Sequence, residues 1–114
     1  MAVTAKRIYE PATRSDGYRI LVDRLWPRGM KKEDAHIDEW IKEIAPSAAL
    51  RKWFGHEPEK WKTFVTRYRA ELKDAPALDA LKTLLKEHPT VTLLYAAKDE
   101  VHNNAQALLQ VLQD

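Results

Sequence analysis

The sequence predicts an α/β domain: a small, mainly parallel sheet of three strands or slightly more, with a long helical crossover and a C-terminal helix. Three observations carry this. The stretches "YRILVDRLW" (18–26) and "TVTLLYAA" (90–97) hold continuous apolar runs, as strands covered on both faces do. Everything between them, residues 31–88, reads as helix. A helical connection between two strands of one sheet is a crossover, which favours parallel, right-handed pairing.

The elements follow in order. Residues 3–9, "VTAKRIY", form a short strand of undecided direction, because the loop "EPATRSDG" (10–17) is short for a parallel connection. Pro11 and Asp16-Gly17 mark that loop as turn. The strand at 18–26 is stopped by Pro27 and Gly29. A helix is expected over 31–46, where Ile37, Trp40, Ile41 and Ile44 recur at amphipathic spacing and Pro46 ends the pattern. Ser47 can cap a short helix, "AALRKWF", closed by Gly55. Pro58 suits the first turn of a third helix with the stripe Trp61, Phe64, Val65, Tyr68 and Leu72. A fourth begins at Asp74 or Ala75, carries Leu78, Leu81 and Leu85, and breaks at Pro89. After the strand at 90–97, "KDEVHNN" (98–104) connects to a last helix with Ala105, Leu108, Leu109 and Leu112.

Length and composition bound the function. A chain of 114 residues fits one domain, 1–114, able to bury a useful core. Cysteine is absent, which removes disulfides, thiolate metal sites and a cysteine nucleophile together. No run approaches the ~18 apolar residues of a membrane span, so no membrane role is expected. The first residues lack the apolar core of a signal peptide, so a cytoplasmic location is expected by default. A net charge of +2 is mild and argues only weakly for a nucleic-acid partner. Nothing in the sequence speaks to oligomeric state.

The chemistry is expected at one edge. Open α/β sheets bind ligands beyond the carboxyl ends of their strands. "DRLWPRG" and "AKDEVHNN" both land there if their strands are parallel neighbours. Asp23, Arg24, Arg28, Lys98, Asp99, His102 and Asn103 then share a rim, and Trp26 is a further candidate in the first of these words. By strand alternation, Arg24 and Trp26 fall on the face of Ile20 and Val22, and Asp23 on the other. Arg24 at the end of an apolar stripe needs a carboxylate, a helix C-terminus or a bound anion as partner. Asp23 can pair with Lys98 or act as a general base. Arg28, with Gly29, Lys31 and Lys32, forms a basic turn that either holds an anion or is simply solvated. His56 sits in the turn after a helix, where it caps the C-terminus or contacts a ligand. Asn103 or Asn104 caps the last helix, whose positive end points to the same rim. His36, His56, His88 and His102 show no metal-ligand spacing, and there is no nucleophile elbow or phosphate-binding loop. No metal and no cofactor are expected.

The words "RILVDRLWPRG", "IDEWIKEIAPS", "LRKWFGHEPEKW", "RYRAEL" and "VTLLYAAKDEVHNNA" resemble, in order and over nearly the whole chain, the YeaO-like proteins, catalogued as domain of unknown function family 488. The resemblance implies a small bacterial or archaeal α/β domain and supplies no activity. Asp23, Arg24, Trp26, Pro27, Arg28 and Gly29 match its strand-end word, Trp53 to His56 its second, and Tyr95, Lys98, Asp99 and Asn103 its third. Longer relatives carry cysteines around the last strand and helix, and this chain has none.

Two classes of function remain open. One is a small-molecule or anion-binding pocket at the strand-end rim, catalytic or not. The other is a non-catalytic module for nucleic acid or a protein, using Arg28, Lys31 and Lys32 or an aromatic patch around Trp53 and Trp61.

Overall fold

The computed structural model describes residues 2–113. Its four strands are β1 (Ala2–Arg7), β2 (Tyr18–Leu21), β3 (Glu39–Trp40) and β4 (Thr90–Tyr95), and all pair in parallel in the order β1-β4-β2-β3. The helices are α1 (Lys32–Ala35), α2 (Ala48–Phe54), α3 (Trp61–Leu72), α4 (Pro76–Glu87) and α5 (Asn104–Leu112). Single 3-10 turns lie at Arg14–Asp16, Lys42–Ile44 and Pro58–Lys60.

The direction of the first strand is thereby settled. β4 fills the place between β1 and β2, with Val3 beside Val91 and Tyr18 also beside Val91. The loop 8–17 therefore runs back along the sheet and steps sideways past one intervening strand, about 10 Å, with a single 3-10 turn and no α-helix. At its end Gly17 has φ +66, and a Cβ there would lie 2.3 Å from the Thr90 carbonyl oxygen, so only glycine lets β2 start this close to β4.

Helices and loops cover opposite faces of the sheet. Ile20, Val22, Val91, Leu93 and Tyr95 share one core with Ile44, Leu50, Phe54, Phe64, Tyr68, Leu81 and Leu108 from the helical side. Leu21 and Leu94 turn to a smaller cluster with Ile8, Ala35, Trp26, Ile37 and Trp40. The caps read from sequence are present. Ser47 Oγ accepts from Leu50 N at 3.1 Å, Gly55 closes α2 with φ +53, and Asn103 Oδ1 accepts from Gln106 N at 2.9 Å.

Two expectations are corrected. Residues 31–46 are not one helix. α1 stops after one turn at His36, in the left-handed region at φ 49. The chain then runs extended because Asp38 closes on β2: Arg19 N donates to Asp38 Oδ2 and Asp38 N to Arg19 O, both at 2.9 Å. The helical spacing of Ile37, Trp40, Ile41 and Ile44 instead serves two cores, the first pair in the loop-side cluster and the second on the helical side. Likewise β2 ends at Leu21 rather than Trp26. Alternation fails beyond it, and Trp26 packs on the face opposite Ile20, edge-on to Trp40 with ring centres 5.5 Å apart.

On the loop side a buried polar knot fixes the first loop. Asp16 accepts from Thr13 N and Thr13 Oγ1 at 3.0 Å, from Lys6 Nζ at 3.1 Å and from Arg19 Nη1. Arg19 also donates Nε to His36 O and Nη2 to Ala35 O, so one guanidinium joins the first loop to the end of α1. Burial opposes ionisation of Asp16, but these donors together outweigh it and lower its carboxyl from 3.8 to about 2. A lowered folded value contributes stability above pH ~4 that is lost as pH falls toward ~2, on the order of 2 kcal/mol. Urea titrations from neutral pH down to pH ~2 should show this acid-limb loss, and Asp16→Asn should lack that part of the slope.

Candidate functional site

Because every strand is parallel, the ends of β1, β2 and β4 open onto one edge, and a cleft of about 1190 Å³ lies there. All eight residues singled out from sequence line it: Asp23, Arg24, Trp26, Arg28, His56, Lys98, Asp99 and Asn103. Lys31 and Lys32 do not; they are exposed beyond it. Trp53 and Trp61 pack on the helical core instead, Trp53 with Arg67 over its ring at 4.1 Å.

Asp23 sits where three elements meet. Its Oδ2 accepts from Ala96 N just past β4 at 2.9 Å, and its Oδ1 from the Asn104 side-chain amide at the start of α5, at 3.2 Å. Its own carbonyl accepts from the Trp40 indole at 2.8 Å. The expected pairing with Lys98 is therefore replaced by these N–H donors. Burial raises the Asp23 carboxyl above the usual carboxylate range, against the two hydrogen bonds and the field of Arg51.

Arg24 finds no carboxylate; the helix end it meets is that of the 3-10 turn Lys42–Ile44, whose C-cap is Ala45. Its Nη2 donates to Ala45 O at 3.1 Å, in the turn before α2. Its Nε is the one buried side-chain polar atom among the described residues with no hydrogen-bond partner. Leaving such a donor unmatched costs about 1–3 kcal/mol. Trp26 donates its indole N–H to Met30 O at 2.8 Å, and Tyr9 its hydroxyl to Arg28 O at 2.7 Å, so the turn bearing Arg28 is pinned from both sides.

On the opposite lip, Asp99 is occupied by its own turn. It accepts from Val101 N and His102 N at 2.9 Å, which lowers its carboxyl, and lies 3.1 Å from His102 Nδ1. The Asn103 amide donates to Asp99 O at 2.9 Å while its oxygen caps α5. Exposed His56 follows Gly55, itself left-handed at φ 59, with its ring 6.4 Å from Phe54.

The cleft also holds cations that the sequence did not single out: Arg7, Arg51 and Lys52. Arg7 donates Nε to Ala97 O at 2.9 Å, and Arg51 and Lys52 are exposed on α2. Charge on α2 gave the only signal, and only the packing of α2 beside the strand ends brings it here. Six cations thus face the cleft: Arg7, Arg24, Arg28, Arg51, Lys52 and Lys98. Among the described residues none of the six lies within 4.0 Å of a carboxylate oxygen. Against them stand Asp23 and Asp99, leaving a formal +4, whereas the whole chain carries +2, so the remainder of the molecule is negative by two. No cysteine, serine or threonine lines the cleft, and no group of three His, Cys, Asp or Glu among the described residues could hold a metal ion. Among the described residues no helix is long and apolar enough to cross a membrane.

Comparison with known proteins shows the family of the chain. Residues 2–114 match the family described as the inactive DUF488-N3 subclade. The chain is 49% identical over 114 residues to the uncharacterized protein YeaO of Escherichia coli K12, covering 99% of this chain and 98% of that protein. It is 40% identical over 110 residues to the uncharacterized protein Rv3073c of Mycobacterium tuberculosis H37Rv, covering 96% and 92%. No solved structure matches. With a match across essentially its whole length, the chain belongs to the YeaO-like branch of the DUF488 family, in the subclade described as inactive.

Proposed function

We propose that the strand-end cleft is a non-catalytic binding site for an anionic ligand, in a protein that works in the cytoplasm. The observation that carries this is the set of six cations lining one cleft without a carboxylate partner. Unpaired cations crowded into one concavity repel one another, and a concave wall focuses their field on an incoming anion. Arg24 is held by the Ala45 carbonyl with its Nε unmatched, and Arg7 by the Ala97 carbonyl, so both guanidinium groups are fixed in place beforehand. Arg51, Lys52, Arg28 and Lys98 are exposed and supply charge at the mouth.

Catalysis lacks its usual parts. A thiol or simple hydroxyl nucleophile is missing from the walls. Asp99 is committed to its turn, and Asp23 to Ala96 N and Asn104. The family description as inactive supports the same reading.

Isothermal titration of the full chain with pyrophosphate should give saturable binding that weakens with salt. Replacing Arg51 and Lys52 together by alanine should lower affinity about tenfold or more, since charge-assisted hydrogen bonds are worth ~1.5–3 kcal/mol. Equal affinity in that variant would remove the reading.

A pH dependence follows from Asp23. Its raised carboxyl takes up a proton more readily in the fold than in the unfolded chain. Protonation removes a negative charge from the cleft, so affinity for sulfate, whose own charge is constant there, should rise as pH falls. Asp23→Asn should bind more tightly at neutral pH and lose the rise that Asp23 protonation supplies.

A further inference from the structure

Large apolar side chains are exposed at three places among the described residues: Tyr9, Leu25 and Val101, at 39%, 68% and 64%. Tyr9 follows β1, Leu25 follows β2 and Val101 lies in the connector after β4. Three exposed apolar groups scattered at random would not be informative. Here all three come from the loops after the strands that end at the cationic cleft. Tyr9 and Leu25 line the cleft itself, and Val101 sits between its lining residues Asp99 and His102.

We infer that this mouth docks an acidic segment of a partner protein in which carboxylates alternate with apolar side chains. The proposal rests on the cleft being an anion site and names the bearer of the anions. The cleft volume of about 1190 Å³ exceeds the ~300–1,000 Å³ common for small-molecule pockets, and it suits an extended chain carrying several side chains. Carboxylates on such a segment meet Arg24, Arg28, Arg51 and Lys98, while its apolar groups cover Leu25, Val101 and the free face of Tyr9. Charge complementarity selects an acidic partner over a basic one.

Two other occupants fit less well. Single-stranded nucleic acid uses aromatic faces for its bases. Leu25 and Val101 have none, Tyr9 has one face under the Arg7 guanidinium at 4.8 Å and its hydroxyl tied to Arg28 O, and Trp26 is packed into the loop-side cluster with its indole tied to Met30 O. An anionic bilayer is flat and leaves a concave cleft unfilled.

The test is selection from a phage-displayed library of random linear peptides on the immobilised full chain. Enriched peptides should combine Asp or Glu with Leu, Ile or Phe. The strongest, made synthetically, should lose about tenfold or more in affinity when Leu25→Asn and Val101→Asn are combined. Both sites are exposed, so the double variant should keep its thermal midpoint, and Val101→Asn alone, outside the cleft lining, should keep its pyrophosphate affinity. Enrichment without acidic character, or peptides indifferent to the double variant, overturns the proposal. So does a mixed-sequence single-stranded oligonucleotide, an anionic phospholipid vesicle or self-association whose binding is the one lost in that variant. Pyrophosphate binding without selected peptides removes the docking reading alone. Absence of pyrophosphate binding removes the anion reading on which it rests.

Discussion

The constraint on which the structure depends is the position of β4. The last strand of the chain lies between the first two, and β1 pairs with β4 alone. The amino-terminal strands therefore cannot form their sheet until the chain has travelled through four helices and returned. Contacts so distant in sequence make folding slow and cooperative rather than modular. The same arrangement makes every strand parallel, and so delivers the loops after β1, β2 and β4 to a single edge. The cleft follows directly from that topology.

Asp23 converts the topology into a site. It is the first acidic group beyond β2, and its two oxygens reach the backbone just past β4 and the first turn of α5. A carboxylate used this way holds three elements in register while remaining on the cleft wall. Its ionisation is opposed by burial, so the group that closes the edge is also the one that sets the local charge. The polar knot of Asp16 and Arg19 does comparable work at the other end of β2, but its donors more than satisfy it, and there the balance runs toward full ionisation.

Much of this was legible in the sequence, for identifiable reasons. Continuous apolar runs marked β2 and β4, and proline, glycine, serine and asparagine marked the helix ends, because those signals are local. Parallel pairing of the two runs was enough to bring the candidates of the two strand-end words onto one rim, whereas His56 reaches the cleft through the packing of α2. What could not be read was long-range. The spacing of Ile37, Trp40, Ile41 and Ile44 is helical, yet Asp38 binding to the backbone of Arg19 draws that segment into the sheet edge. Arg7, Arg51 and Lys52 carry no local mark of function, and only packing turns them toward the cleft. A helix C-terminus was among the partners expected for Arg24, but its position was hidden, since backbone carbonyls at Ala45 and Pro46 leave no trace in residue types.

The central claim is that these unpaired cations form one specific anion site at the strand ends. The most direct test is a sulfate titration followed by amide, indole and arginine Nε–H resonances of the labelled full chain in solution. Saturable shifts confined to the Arg24 Nε–H, the Trp26 indole and the backbone N–H groups of Ala96 to Asn104 are predicted. Weak, unsaturable shifts spread over outlying lysines such as Lys62, Lys82 and Lys86, with Arg24 unmoved, would contradict it.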